Sequence, residues 1–321
     1  MPQIDIPDAF IQAAILVHLD EDIDNTARVF YQEWKGATPE IIARILQKTE
    51  KVFLSDRVFA LAILAYLAFP EAPALLRPFL HSPNRAERWV STIALALLKE
   101  PAAFPLLQRL LLEDLLNPRA YKDASYFDHY WHMGRRYDIA LLLGDWGNPT
   151  AIPVLCEAIQ QCRAYEVDPD TYWGESSDIL QDYRLCLEDY LLLLDRLAFA
   201  LGCLKVHDAL TTLSLPPAHW SYVQIYFLFG TLHIPGSHSY PTFVWPPVRE
   251  QNDGTLEIPH IPLPHVLQAL ETHFHFSQEE QIAFLHQVKR ARAERYDECY
   301  PYNTPGYKER FEIFDDLMGP F

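Results

Sequence analysis

Apolar residues recur at helical spacing along this chain, and short sets of turn-forming residues interrupt them. In LLLGDWGNPTAIPVLCEAI, residues 141–159, an apolar run stops at Gly144 and a second run starts at Ala151. Gly144 or Gly147 can end a helix in the left-handed conformation, and Pro149 suits the start of the next helix. The passage therefore predicts a helix, a tight corner and a second helix.

The same pattern recurs elsewhere. LAFALGCLKVHDALTTL, residues 197–213, has its glycine and last leucine at the same spacing as residues 139–155. Looser copies begin at Leu61 and Ile93, with a corner that we expect to be shortened, and a half copy begins at Ile225. The positions taken as equivalent are Tyr66, Leu98, Gly144, Gly202 and Gly230. Because one helical hairpin cannot bury both of its apolar faces, the pattern predicts stacked hairpins with one continuous core.

The segment ALLLGDWGNPTAIPVL, from Ala140 to Leu155, resembles the HEAT-like repeats of the phycobilisome-lyase type. The resemblance covers roughly Arg57 to Ile234. It implies an all-α fold, a right-handed α–α superhelix or armadillo-like solenoid, and a protein that binds other macromolecules. It also keeps open a second function, a bilin-lyase-like chaperone subunit that delivers an open-chain tetrapyrrole to a phycobiliprotein cysteine.

Three regions are predicted from the distribution of helices and prolines. Residues 1–55 form a helical N-terminal cap, residues 56–234 hold the HEAT-like repeats, and residues 235–321 hold a proline-rich loop and C-terminal helices. The repeats carry two insertions, residues 117–137 and 164–178. Such a cap is needed because the last repeat of a solenoid would otherwise expose its apolar face.

Outside the corners, the pattern predicts a long helix from Asp178 to Leu204 and two C-terminal helices, His265 to Phe274 and Gln278 to Arg295. The intervening loop, from Pro235 to Pro264, is too rich in proline for a helix. Its QNDGT sequence, residues 251–255, is typical of a short β-hairpin turn.

The charge and the cysteine content indicate which partners the protein could bind and in which cellular compartment it is expected. The net charge is −17 over 321 residues, which disfavours nucleic acid because the chain repels phosphates. The five cysteines show no CxxC spacing and are expected to be reduced core residues. The longest apolar stretch, from Phe59 to Phe69, is too short to cross a bilayer, and no export signal is recognised. A cytoplasmic protein without a membrane partner is expected.

No catalytic motif is found in the sequence. Walker, GxGxxG, GxSxG and HExxH patterns are all missing, and no His-Glu dipeptide of the kind used by HEAT-repeat deoxyhypusine hydroxylases occurs. The densest group of histidines is His260, His265, His273, His275 and His286. His273 and His275 are two residues apart, which on a helix directs them to different faces. We therefore expect no catalytic residues, no metal and no cofactor.

The two insertions are rich in aromatic residues, and an acidic run from Glu166 to Asp182 accompanies the second; both features suit a protein interface. We predict that they form a binding surface for a protein partner of basic or mixed charge. Its residues would be Tyr130, Trp131, Tyr172, Trp173, Asp168, Asp170 and Glu175. The alternative is that the aromatic side chains pack the longer helices onto the repeats.

Overall fold

The computed structural model describes residues 40, 42–43, 60–65, 70–113, 115, 126–166, 177–211, 217–234, 248–258 and 261–299. Over this part of the chain the fold is mostly helical, and the only β-structure in it is a two-stranded hairpin. The prediction of an all-α protein is confirmed for these residues. Nearly all of the predicted N-terminal cap, residues 1–55, lies outside them.

The chain divides into two compact units, Met1–Trp146 and Gly147–Phe321. The division falls inside the corner that follows Gly144, in the middle of the predicted repeats. The domain boundaries predicted at residues 55 and 234 remain predictions.

The first unit contains four α-helices among its described residues, besides the helical residues 60–65. They are α1 (Ala72–Leu76), α2 (Arg85–Leu97), α3 (Phe104–Leu112) and α4 (Tyr126–Trp146). Short 3-10 helices at Arg77–His81 and Pro101–Ala103 connect the first three. Helix α2 packs against α1, α3 and α4, so its apolar face forms the centre of the core.

Helix α2 begins where three polar residues satisfy its first backbone groups. The Asn84 side chain accepts a hydrogen bond from the Glu87 backbone N–H at 3.2 Å, as an N-cap does. The Ser82 hydroxyl accepts from the Asn84 N–H at 3.1 Å and donates to the Glu87 carboxylate at 2.5 Å. Because these bonds fix the first turn, the next residues, Arg85 and Arg88, are held in defined positions.

The second unit begins with a 3-10 helix, Pro149–Ala151, and continues with α5 (Ile152–Glu166), α6 (Ser177–Cys203), α7 (His207–Thr211) and α8 (Pro217–Thr231). The hairpin strands β1 (Arg249–Glu250) and β2 (Leu256–Glu257) follow, and then α9 (Leu263–Phe274) and α10 (Gln278–Cys299). Helix α8 lies against α6, α9 and α10, and α6 also lies against α5.

The two insertions lengthen helices. Residues 126–137 of the first insertion belong to α4, which has 21 residues. The second insertion begins within α5 and ends within α6, which has 27 residues. The predicted long helix, Asp178 to Leu204, agrees with α6 to within one residue at each end.

Three corners turn on one residue in the left-handed conformation, with φ of +56° at Lys99, +71° at Gly147 and +56° at Lys205. Two of them carry the same hydrogen bonds. The Lys99 N–H donates to Ala96 O at 2.9 Å, and the Lys205 N–H donates to Gly202 O at 2.8 Å. Each following residue donates to a carbonyl five residues back, which completes a Schellman helix end.

The residues that follow the left-handed position form equivalent hydrogen bonds in all three corners. The backbone N–H groups of Ala103, Ala151 and Ala209 each donate to the carbonyl three residues earlier, at 3.0, 3.0 and 3.3 Å. The corner after α2 therefore has the same length as the corner after Gly144, and the expectation of a shortened corner is wrong. Structurally, Ala96 rather than Leu98 is equivalent to Gly144.

Gly202 and Gly230 lie inside α6 and α8, where the two helices approach most closely. A Cβ atom on Gly202 would lie 2.0 Å from the Phe227 carbonyl oxygen, and one on Gly230 would lie 2.0 Å from the Phe199 carbonyl oxygen. Any larger residue would overlap backbone atoms, which cannot rotate away. Of the two candidate residues in the first corner, it is Gly147 that takes the left-handed conformation.

The C-terminal elements agree with the sequence pattern. Strands β1 and β2 pair antiparallel, with Arg249 opposite Glu257, and their connection is the predicted QNDGT turn with Gly254 at φ +81°. Helices α9 and α10 match the two predicted helices. Helix α10 begins with a capping box, because the Ser277 N–H donates to the Glu280 carboxylate at 2.7 Å and Ser277 Oγ accepts from the Glu280 N–H.

Replacing Gly202 with alanine tests the close approach of α6 and α8. Helix propensity alone predicts a gain in stability of about 1 kcal/mol for this change. We expect instead that the free energy of unfolding falls by about 3 kcal/mol, because the methyl group overlaps the Phe227 carbonyl oxygen. Urea unfolding of Gly202→Ala and Gly230→Ala measures this change in the free energy of unfolding. An increase in stability in both variants would show that α6 and α8 are not in contact at these glycines.

Candidate functional site

Two arginines contact one buried tryptophan in the first unit, and a third arginine lies beside them. The Arg136 guanidinium carbon lies 5.3 Å from the centre of the Trp89 ring, and that of Arg85 lies 5.5 Å from it. Both distances are within the range of cation–π attraction. Arg88 and Glu113 complete the set, which we call the arginine–tryptophan cluster (Arg85, Arg88, Trp89, Glu113 and Arg136).

Three elements supply this cluster. Helix α2 contributes Arg85, Arg88 and Trp89, the residue after α3 is Glu113, and α4 contributes Arg136. Trp89 is fully buried and Arg136 is 1% exposed, so they form the floor. The side chains of Arg85, Arg88 and Glu113 keep 25%, 23% and 29% of their surface exposed, so they form the part that a ligand could reach.

Arg136 donates a hydrogen bond from Nη2 to the backbone carbonyl of Glu113. That carbonyl lies just after the C-terminus of α3, where helical carbonyl groups lack partners and carry partial negative charge. A buried guanidinium is therefore held partly by a helix end and partly by the Trp89 ring. This arrangement fixes the distance between α3 and α4 as well as the floor of the cluster.

Arg136 is not among the predicted site residues, although a sequence pattern could have revealed it. Arg136 precedes Ile139, Ala140 and Leu143 by three, four and seven residues, so it lies on the same face of α4 as three completely buried residues. A charged residue at a core position of a helix needs a specific partner. The neighbouring Arg135 is also buried and pairs with Asp138 at 3.2 Å.

A second polar contact joins the corner after α2 to the end of α4. Lys99 Nζ lies 2.5 Å from Asp145 Oδ2 and 5.5 Å from the centre of the Trp146 ring. Asp145 is 6% exposed, so its carboxylate depends on partners within the protein. The centres of the Trp146 and Phe104 rings lie 5.3 Å apart. The first residue of α3 therefore packs beside the Lys99–Asp145 ion pair.

In the second unit, histidines pack against phenylalanines between α7, α8 and α9. The centre of the His207 ring lies 4.8 Å from that of Phe274 and 6.0 Å from that of Phe227. The ring centres of His273 and Phe227 lie 6.2 Å apart. Burial lowers the pKa of His273, and the charges of His207 and Lys205 lower it further. His273 is therefore a neutral packing residue near pH 7.

The hairpin borders an open cleft of about 520 Å³ in the second unit. Residues 255–258 and 261–263 line it together with Gln251. The lining is mixed, with Leu256, Ile258 and Ile261 beside the Glu257 carboxylate. It offers no set of converging charged groups, in contrast to the arginine–tryptophan cluster.

The side chains of the predicted binding surface all lie outside the part of the chain that the structure describes. Tyr130 and Trp131 fall in α4, but their side chains lie outside the described part. Tyr172, Trp173, Asp168, Asp170 and Glu175 also lie outside the described residues. Whether the two insertions share a surface therefore remains a prediction.

Two further properties concern the described residues alone. None of their His, Cys, Asp and Glu side chains form a group of three or more that could hold a metal ion. None of their helices is both long and apolar enough to cross a bilayer.

These features define a mainly α-helical protein with a recurring left-handed corner and a cationic, aromatic site at the start of α2. No protein-family model matches the chain, and neither curated proteins nor solved structures gave a match. The resemblance to HEAT-like repeats thus stays an expectation from the corner motif.

Replacing Lys99 with methionine tests the corner contact. The variant keeps the length of the side chain but removes the ammonium group beside the buried Asp145 carboxylate, so the free energy of unfolding should fall by about 2 kcal/mol. Lys205→Met is the matched control, because Lys205 occupies the same left-handed position and forms no ion pair among the described residues. Equal effects of the two variants in urea unfolding would contradict this role of Lys99.

Proposed function

We propose that the protein is a non-catalytic, cytoplasmic scaffold that binds a protein partner on a right-handed solenoid of HEAT-like repeats. The observation that carries this proposal is the recurrence of one corner geometry at Lys99, Gly147 and Lys205. A left-handed residue at a helix end is common, but here the alanine N–H bond four residues later recurs with it at all three corners. A common repeat unit explains both.

Repeat proteins of this kind use their surfaces for binding. Each hairpin contacts only its neighbours, so stacking produces an extended surface rather than a single enclosed pocket. The unequal helix lengths support such a use, since α4 and α6 have 21 and 27 residues whereas α2 and α3 have 13 and 9. The extra turns add surface while the corners keep their geometry.

The proposed partner is a protein of basic or mixed charge. The chain carries 43 acidic and 26 basic residues, so its field attracts positive charge. Tyr172 and Trp173 would serve as buried anchors, and the carboxylates of Asp168, Asp170 and Glu175 would speed the first encounter. Tyr130 and Trp131 would extend the surface from the first insertion.

Trp173→Ala tests this function directly. The partner is first captured from the native lysate on the full chain, and its dissociation constant is then measured by calorimetry. We expect the variant to lose about 2 kcal/mol of binding energy, a factor of about 30, because a central aromatic anchor is removed. Its melting temperature should stay nearly unchanged, since an interface residue does not belong to the core.

Glu175→Gln and Glu279→Gln each remove one carboxylate and so change the net charge equally. Comparing them separates electrostatic steering of the partner toward the proposed surface from an effect of net charge alone. Glu279 lies exposed in the first turn of α10, outside the proposed surface. Only Glu175→Gln should slow association at low salt. A large drop in the melting temperature of Trp173→Ala, with unchanged affinity for the partner, would show that the aromatic residues pack the helices instead.

A further inference from the structure

The guanidinium group of Arg88 is held by backbone atoms rather than by a carboxylate. Its Nη1 donates to the carbonyl oxygens of Ser82 at 2.8 Å and Pro83 at 3.1 Å. Nη2 of the same group lies 3.6 Å from Glu113 Oε1. One side of the guanidinium is therefore anchored, while the side near Glu113 has only an ion-pair contact.

The Glu113 carboxylate is close to two arginines without being hydrogen-bonded to either. Its Oε1 lies 3.6 Å from Arg88 Nη2 and 3.9 Å from Arg85 Nε. Hydrogen bonds between such groups are about 2.7–3.2 Å long. Within the described residues this carboxylate accepts no hydrogen bond, so its attraction to the arginines is mainly Coulombic and easily replaced.

Arg85 and Arg88 stand at a helix end where acidic residues are usually preferred. Arg85 and Arg88 lie in the first turns of a helix of 13 residues, where the partial positive charge of the N-terminus favours acidic residues. The acidic residue of the first turn, Glu87, receives a hydrogen bond from Ser82. Arg136 adds a third guanidinium behind Trp89. Positive charge is thus concentrated at the start of α2, which suits an anionic ligand.

We propose that Arg88 and Arg85 bind a carboxylate of an acidic segment on the partner protein, and that Glu113 occupies the place of this carboxylate in the free chain. The proposal rests on the proposed function as a protein-binding scaffold and adds a second contact of opposite charge to it. Arginine suits this ligand because its planar group can bind both oxygens of a carboxylate. Glu113 shows that a carboxylate fits this position, since its Oε1 lies 3.9 Å or less from both arginines.

A fluorescein-labelled polyglutamate peptide serves as the probe, and fluorescence anisotropy of the full chain measures its binding. The measurement is made near 0.15 M salt, where the Debye length of about 8 Å screens distant carboxylates. Arg88→Gln should weaken binding about tenfold, the equivalent of one lost charge-assisted hydrogen bond. Glu113→Gln should strengthen binding several-fold, because it removes the competing carboxylate, even though it weakens the contacts of the free protein.

The ion pair of Arg77 and Glu100 provides matched controls in the same compact unit. Arg77 Nη2 lies 3.0 Å from Glu100 Oε2, so Arg77→Gln and Glu100→Gln change the net charge equally at another place. Each should alter the affinity less than twofold. Circular dichroism verifies folding, and Arg88→Lys, which keeps the charge but loses the planar group, replaces Arg88→Gln if that variant unfolds. Arg88→Lys should then bind the peptide more weakly than the wild type, and unchanged affinity would overturn the proposal.

The proposal is overturned if the peptide shows no saturable binding, if Glu113→Gln binds it no better than the wild type, or if the controls change affinity as much as the cluster variants. Its failure can be separated from failure of the scaffold function. If Arg88→Gln still binds the captured partner with wild-type affinity while Trp173→Ala does not, the scaffold stands and this site does not. Peptide binding without any partner contact at Trp173 would support the site and contradict the proposed interface.

Discussion

The structure depends on corners in which one residue adopts the left-handed conformation. At Lys99 and Lys205 this conformation lets the last helical carbonyls accept two backbone hydrogen bonds, and the chain then starts a new short helix within four residues. Without such a residue the helix would either continue or end with unsatisfied carbonyl groups. Gly147 occupies the same position and avoids a Cβ clash altogether.

The corner geometry also determines which contacts are available to the side chains. At the corner after α2, the side chain of Lys99 reaches the buried carboxylate of Asp145. Within the second unit, Gly202 lies three residues before Lys205 and allows α6 to touch α8 backbone to backbone. Ala96 and Gly202 are thus the small residues that lie three positions before the left-handed residue in their corners. The turn reverses the chain, and the small residue permits a close neighbour.

The arginine–tryptophan cluster is formed by the elements that this packing holds in place. Its floor is rigid because Arg136 bridges the Trp89 ring and the backbone at the end of α3. Its accessible part is less constrained, since Glu113 contacts its two arginines only at ion-pair distances. A rigid floor with exchangeable surface charges suits reversible recognition better than catalysis, and it complements the acidic surface proposed for the insertions.

Sequence patterns were sufficient where a residue type has one dominant structural use. The turn at Gly254 and the apolar spacing of α9 and α10 both led to correct predictions. The alignment of the corner after α2 failed because lysine does not mark a left-handed position, so Leu98 was matched in place of Ala96. The alignment of Gly202 with Gly144 is correct, since each lies three residues before a left-handed residue, but it is close packing against α8 that requires a glycine at position 202.

The binding site was harder to predict for a different reason. The role of Arg136 depends on groups that are distant in sequence, namely the Trp89 ring and the Glu113 carbonyl. No local sequence pattern contains all three residues. The aromatic and acidic insertions could be selected by composition, which says nothing about whether their side chains meet. The binding role of Trp173 and its neighbours therefore remains a prediction, whereas the repeated corner is observed in the structure.

The most direct test of the repeated corner is the effect of Lys205→Gly on the free energy of unfolding. Glycine adopts a φ of +56° without the Cβ clash that lysine suffers, so stability should rise by about 1 kcal/mol, while Lys205→Met changes little. A glycine placed inside a regular helix lowers stability by about 1 kcal/mol instead. A loss of stability in Lys205→Gly would show that the chain does not turn at this residue, and it would contradict the common corner on which the proposed repeat architecture rests.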